Sequence, residues 1–419
     1  MQRDIIIINY HFIENKVGGN RWRNLSSHLN QQGNRIFILC QTPQNKFSPL
    51  SFGPKIIERN NTLNWLKTRK SLPFHGLIYR FTQLMSSVLY GGNFFDVSYL
   101  TGKKHARYIK ESLVNKRIKS NCLIICSVGP FTYVHEILKL KKQFSEVKIV
   151  LDYRDPWSTN SLSFGFNQLN KLRKDFEKKN EILALNSCDG IIGVSKEIYY
   201  PLIVANNIST PNCEIPNGID VIKKNKPIVE NNGKVKIFLA GTLYNDLDDL
   251  TTTFFEDLRN IRLNNPKLLE QFEWHWIGEY SESQKKMIDH SLHNHAIFHG
   301  KLSQNELQSK IEAFHVGLNI LHRDFSYSKN TKFYEVLSHQ KKILLISWPG
   351  DTSNYINKNS LGYTWHPGNS TIDLLQTIKS EFDTGNLIFK SHQNKEIQNL
   401  TFECQSVKLT KFVDSLYNV

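Results

Sequence analysis

Residues 121–158 read NCLIICSVGPFTYVHEILKLKKQFSEVKIVLDYRDPWS. Two apolar runs, LIICSV and VKIVLD, flank a segment at 131–143 whose apolar residues recur at helical spacing. Strand, helix and strand in that order make a parallel βαβ unit, and strands apolar along their whole length are buried on both faces. The alternation continues outward from this unit. Upstream lie DIIIIN, a helical segment at 20–32 and NRIFILC; downstream lie a helical segment at 166–187 and DGIIGVS.

The pattern pauses at EIPNGID and at the polar, proline-containing stretch KKNKPIVENNGK over 223–234, which has the composition of a linker. A second series then begins. Its strands are KVKIFLAG, FEWHWIG, AIFHG, HVGLNIL, KKILLIS and GYTWH, separated by helical segments at 247–263, 284–293, 304–313, 331–338 and 352–357 and followed by closing helices. The fold class expected is α/β, with two facing Rossmann-like doubly wound domains. The first spans 1–215, a linker 216–234, the second 235–402, and a closing C-terminal helix 403–419. A chain of 419 residues with 40% apolar content is also too long for one core. Doubly wound sheets bind ligands beyond the carboxyl ends of their strands, so the cleft between two such domains is where chemistry is expected.

The formal net charge is +15, and the excess is concentrated in 101–180, where 17 Lys and Arg face 7 Asp and Glu. Such a balance fits anionic partners: nucleic acid, an anionic lipid surface or a phosphorylated substrate. No helix-turn-helix, RNP-type or zinc-finger pattern accompanies it, so no nucleic-acid partner is expected. Six scattered cysteines, Cys40, Cys122, Cys126, Cys188, Cys213 and Cys404, form neither a disulfide framework nor a zinc spacing. Cys122 and Cys126 read as core thiols, and no metal is expected. The apolar run at the start is too short for a secretory signal, and no stretch is long enough to cross a bilayer. The reading is a cytoplasmic protein, peripheral at the inner face of the plasma membrane if it docks there. Phe74, Leu77, Ile78, Phe81, Leu84, Met85, Val88 and Leu89 form a helical apolar stripe that reads first as core-facing. Trp65, Lys67, Arg69 and Lys70 just before it add the reading of a docking helix for an anionic membrane surface.

Five strand ends carry the candidate chemistry. After the first strand, Gly18 and Gly19 precede a helix bearing Arg21 and Arg23, a place where backbone amides meet an anion. LIICSVGPFTYVH supplies Ser127 and, on the next helix, His135, which alone reads as a satisfied histidine before a base. LDYRDPW supplies Arg154 and Asp155; a turn cap by Asp155 and an internal pair with Arg154 is the other reading of these two. In the second domain FLAGTLY supplies Gly241 and Thr242. The polar loop from Arg323 to Asn330 opens a helix near Thr331, so its amides with Lys329 or Lys332 suit a diphosphate. Glu335, three residues after Lys332, is placed to accept two hydrogen bonds from ribose hydroxyls, with an i,i+3 ion pair to Lys332 as the plain alternative.

Taken in order, the Gly18–Arg23 turn, SVGPF, LDYRDPW, DGIIGVSK, IPNGID, FLAGTLY and TKFYEVLSHQKKILLI resemble family-4-type GT-B glycosyltransferases of bacterial surface polysaccharide assembly. The resemblance implies transfer of a sugar, with retention and without a metal, from a nucleoside diphosphate sugar to a saccharide or lipid-linked acceptor. It favours a UDP-sugar as co-substrate, with no other cofactor, and a place in capsule or lipopolysaccharide biosynthesis. It implies that the second domain binds the donor and the first the acceptor. Glu335 matches the family's ribose-holding glutamate, and Ser328, Lys329, Asn330, Thr331 and Lys332 match its donor-phosphate loop. Tyr327 stands where the family often has a second glutamate, and Thr242 and Leu247 stand roughly where it has arginine and lysine. Arg323, Lys329 or Lys332 is then expected to supply the positive charge, and Arg154 and Asp155 the acceptor-side chemistry. A sugar-nucleotide 2-epimerase of the same architecture and an inactive nucleotide-sugar-binding scaffold are the alternatives.

Overall fold

The computed structural model describes residues 2–10, 12, 17–41, 55–59, 77, 78, 81, 84, 85, 88, 98–159, 169–223, 233–241 and 249–418. The chain divides into two compact units: Met1–Pro216 with Phe402–Val419, and Asn217–Thr401.

The first unit is built on a parallel sheet of seven strands: β1 (Asp4–Ile8), β2 (Arg35–Gln41), β3 (Lys55–Arg59), β4 (Leu123–Val128), β5 (Lys148–Tyr153), β6 (Gly190–Gly193) and β7 (Asn212–Glu214). Their spatial order is β3-β2-β1-β4-β5-β6-β7. In β1 and β4 every residue is buried, the consequence of helices on both faces. The sheet edges β3 and β7, and the helix Ser98–Val114, were not legible as elements in the sequence. The helix Phe402–Ser415 follows the second unit in the chain yet packs on the first, where Phe402, Leu409 and Val413 join Ile5, Trp22 and Leu25 in one cluster. Each such side chain, fully buried, contributes about 2 kcal/mol.

The second unit carries a parallel sheet of six: β8 (Val235–Ala240), β9 (Phe272–Ile277), β10 (Ala296–Gly300), β11 (Val316–Ile320), β12 (Lys342–Ile346) and β13 (Gly362–Trp365), in the order β10-β9-β8-β11-β12-β13. One core covers each face. Of the expected linker 216–234, the described residues 217–223, 233 and 234 belong to this unit: Ile219 is buried, and its amide donates to the Leu400 carbonyl at 2.8 Å. Both sheets have the strand order of a Rossmann fold, and two Rossmann-like doubly wound domains are what the chain has.

The described part of the apolar stripe expected to face a core does not; Phe74 and Leu89 lie outside the described residues. Leu77, Ile78, Phe81, Leu84, Met85 and Val88 are helical and exposed, Leu77 at 68% and Phe81 and Val88 at 64%. Periodicity fixes which residues share a helix face but not what covers that face. Trp65, Lys67, Arg69 and Lys70 lie outside the described residues. No helix among the described residues is long and apolar enough to cross a membrane.

Candidate functional site

In each sheet the strand order reverses direction beside the first strand, at β1/β4 and at β8/β11, and the loops at those carboxyl ends form the natural ligand crevice. Gly18, Gly19, His135, Gly241 and the stretch 323–335 fall on these loops or on the helices they open, Ser127 lies at the end of β4, and Arg154 and Asp155 follow the neighbouring β5.

In the second unit β8 is followed by Gly241 (φ +110), a left-handed conformation that favours glycine. A Cβ there would stand 3.0 Å from the Lys332 Cε, so the Lys332 side chain lies against the turn. Lys332 and Glu335 share the first turns of the helix Thr331–Ser338. That helix closes on β11 because Gly317 has no side chain: a Cβ would stand 2.2 Å from Val336 Cγ2. Burial lowers the Lys332 pKa against the opposing pull of Glu335, and burial raises that of Glu335 against the pull of Lys332. A cation and a carboxylate one turn apart therefore stand desolvated beside a bare backbone turn. This arrangement can take a diphosphate and a diol.

The loop after β11 is held by the loop after β12. The Arg323 guanidinium lies 5.0 Å from the Trp348 ring centroid, the Thr352 amide donates to the Ser326 carbonyl at 3.3 Å, and Lys329 Nζ pairs with Asp351 Oδ2 at 2.6 Å. Lys329 is only 6% exposed at its side chain and its charge is committed to Asp351, whereas Lys332 is the cation laid against the Gly241 turn. Asn330 is likewise committed: its Oδ1 caps the helix through the Phe333 amide at 3.0 Å, and its amide group pairs with that of Asn319 at 2.9 and 3.1 Å. Ser328 lies in the same loop, its amide bonded to the Phe325 carbonyl, and Thr331 is exposed at the helix start. Thr242 and Leu247 lie outside the described residues. Trp348 and Asp351 escaped the sequence reading because they belong to a different loop and matter only through contact.

In the first unit β1, β4 and β5 are neighbours and parallel, so Ser127, His135, Arg154 and Asp155 gather at one edge. Arg154 and Asp155 are half-buried just beyond β5. His135 is half-buried with its ring 5.7 Å from that of Trp157, and Trp157 stacks on Phe131 at 5.3 Å. Ser127 is buried, and its carbonyl accepts the Tyr133 hydroxyl at 2.8 Å.

Two expectations here are corrected. Gly18 and Gly19 do not precede the helix; it runs Val17–Gln31 and they form its first turn. Arg21 is not offered to an anion. It is 2% exposed, and its guanidinium donates to Asp152 Oδ1 at 3.0 Å and to the Pro216 carbonyl at 2.8 Å. A buried guanidinium must be paired, and the buried Asp152 at the strand end is its partner. Arg23 donates to the Phe12 carbonyl at 2.8 Å.

All six cysteines are free thiols, and Cys122 and Cys126 lie in the core. Among the described residues no group of three or more His, Cys, Asp or Glu side chains is placed to hold a metal ion.

No protein-family model matches the chain, and no curated protein matches its sequence. Solved structures do. Sucrose-phosphate synthase from Thermosynechococcus elongatus superposes with a TM-score of 0.63 at 12% identity, covering 100% of both chains. The apo lipopolysaccharide outer core galactosyltransferase WaaB gives 0.56 at 13% identity over 98% of this chain and 99% of that one. An E. coli trehalose-6-phosphate structure bound with UDP-2-fluoro glucose gives 0.59 at 11% identity over 99% of each chain. The structural neighbours are GT-B glycosyltransferases, and this chain shares their fold from end to end.

Proposed function

We propose that the protein is a retaining glycosyltransferase that moves a sugar from a nucleoside diphosphate sugar, a UDP-sugar first among them, to a saccharide or lipid-linked acceptor. One observation carries this reading: Lys332 lies against the Gly241 turn at the switch point of the second sheet, with Glu335 one helical turn further on. In it the Gly241 turn, the start of the helix Thr331–Ser338, Lys332 and Arg323 receive the diphosphate, and Glu335 accepts the ribose hydroxyls. Support comes also from the neighbour bound with UDP-2-fluoro glucose and from the galactosyltransferase among the neighbours.

Departure of the nucleoside diphosphate breaks the anomeric C–O bond and builds negative charge on the phosphates. Fixed cations and amides stabilise that charge. The acceptor oxygen bonds to the anomeric carbon on the face the diphosphate leaves, and its proton passes to a leaving phosphate oxygen, which accounts for every atom and gives retention. In this scheme Asp155 orients the acceptor hydroxyl and Arg154 holds an anionic acceptor such as a lipid diphosphate. The chemistry assigned to these residues uses no metal.

For a lipid-linked acceptor, the exposed Leu77, Ile78, Phe81, Leu84, Met85 and Val88 with the basic cluster before them supply a docking surface for an anionic membrane. Capsule or lipopolysaccharide assembly at the inner face of the plasma membrane is the setting this combination fits.

Thermal-shift titration with UDP-, GDP- and dTDP-sugars tests the donor reading, because a ligand that binds only the folded state raises its stability. Incubation with the selected donor alone and then with a lipid-linked saccharide separates transfer from 2-epimerisation, which needs no acceptor. Binding with neither outcome would leave a nucleotide-sugar-binding scaffold.

A further inference from the structure

The helix Lys171–Ser187 carries two carboxylates on its buried face. Glu177 and Glu181 are 0% and 1% exposed, beside Ala184 and Leu185. Glutamate is almost never fully buried unless paired, and each buried carboxylate costs several kcal/mol in lost hydration. An apolar pair would fill this face without that cost.

The carboxylates serve the loop after β5. Glu177 Oε2 accepts the Trp157 indole N–H at 3.0 Å, and its Oε1 lies 3.6 Å from Arg173 of the same helix. Glu181 Oε2 accepts the Ser158 backbone amide at 2.8 Å. At the loop's other end Asp152 is fixed by Arg21 and by the Trp22 indole, which donates to Oδ2 at 2.7 Å. Arg154 and Asp155 are thus the half-buried span between two fixed ends. Trp157 extends the brace to the loop after β4 through Phe131 and His135.

We infer that Glu181, together with Glu177, is a positioning residue for Asp155: the two carboxylates hold Ser158 and Trp157 so that the Arg154–Pro156 span keeps one conformation. This role rests on the proposed function of Asp155. A helix-borne acceptor aimed at a loop amide restricts the loop far more than solvent contact does, and a misplacement of about 1 Å at a reacting group can cost about a hundredfold in rate. Among the described residues, the groups facing Glu181 are Tyr153, Ser158 and Glu177. Burial raises its pKa to about 7, so the strength of the brace changes with pH in the neutral range.

The test compares Glu181→Ala, which removes the acceptor, with Glu181→Gln, which keeps an oxygen for the Ser158 amide. The expected result is amide exchange across 153–159 at least tenfold faster in Glu181→Ala and within about threefold of wild type in Glu181→Gln, with UDP affinity unchanged in both. With the nucleotide sugar selected by thermal shift, kcat should fall at least tenfold in Glu181→Ala at constant donor KM and recover in Glu181→Gln. Unchanged exchange in a folded Glu181→Ala protein, or equal exchange in the two variants, would overturn the brace. If Glu181→Ala does not fold, Trp157→Phe takes its place and must speed exchange while Glu181→Gln does not; the opposite result overturns the inference. Faster exchange with full turnover keeps the contacts but removes the positioning role. Loss of UDP binding in wild type would instead refute the donor reading and leave the exchange comparison standing.

Discussion

Arg21 and Asp152 form a buried ion pair at 3.0 Å, with side chains 1% and 0% exposed, that ties the helix Val17–Gln31 to the end of β5. The same guanidinium reaches the carbonyl of Pro216, the last residue of the first unit before the chain leaves it. Removing one partner strands the other charge in the core. Arg21→Met should therefore cost about 3–5 kcal/mol in denaturant unfolding, and Arg21→Met with Asp152→Asn should cost less than the sum of the single changes. Additive costs would mean that the pair does not couple.

Glu335→Ala should weaken UDP-sugar binding by roughly 10- to 100-fold, the worth of about 1.5–3 kcal/mol for hydrogen bonds to a charged group. Isothermal titration reads this directly. Affinity equal to wild type would remove Glu335 from the ribose.

Gly241→Ala asks an L side chain to adopt φ +110 and sets its Cβ 3.0 Å from Lys332 Cε. We expect a stability loss of about 1–3 kcal/mol and a UDP affinity lowered at least severalfold as Lys332 is pushed aside. A folded variant with full affinity would show that Lys332 does not meet the phosphates.

Asp155→Ala should lower kcat by about 100-fold or more, the worth of correct placement of a reacting group, and leave donor affinity unchanged. A variant with wild-type turnover would move the acceptor chemistry to another residue.

Opposite pH responses are expected in the two units. In the second, burial holds His275, His315 and His339 at about 4, below the ordinary 6.5. The stability tied to these neutral rings is present above 6.5 and is lost as pH falls toward 4. In the first, burial holds Glu181 at about 7, above the ordinary 4.5, so its contribution is full below 4.5 and is lost as pH rises through 7. Peptide-resolved denaturant unfolding at pH 4.5, 6 and 7.5 should find the second unit weakening on the acid side. Glu181→Gln should abolish the alkaline loss in the first; if it persists there, another group carries it.

Leu77→Asp with Phe81→Asp should abolish sedimentation with vesicles of phosphatidylglycerol and phosphatidylcholine, as should charge reversal at Lys67, Arg69 and Lys70. Equal sedimentation of these variants would leave the stripe without a membrane role.

Much of the fold was legible because its strands are buried on both faces. IIII at 5–8, LIIC at 123–126 and ILLI at 343–346 announce themselves by apolarity alone, and the strand-to-helix alternation then dictates a parallel sheet. The short edge strands β3 and β7 have no such signature, since a strand paired on one side needs no continuous apolar run. The polar strand ends were legible for the same reason: Gly241, Arg154, Asp155 and the loop from Arg323 stand where an apolar run stops.

What the side chains at those ends do was decided by contact. The sequence could not separate Arg21, spent on Asp152, from Lys332, laid against Gly241, because both are cations near a helix start. It placed Lys329 and Asn330 with the phosphate loop, whereas packing commits them to Asp351 and Asn319. Glu177 and Glu181 left one trace, two carboxylates four residues apart on a face that ends in Ala184 and Leu185, but their meaning depends on Trp157 and Ser158 some twenty residues away. Apolar periodicity is a local property of the chain and survives in the sequence. Partnership between charges is a property of distance in three dimensions, and only the folded chain decides it.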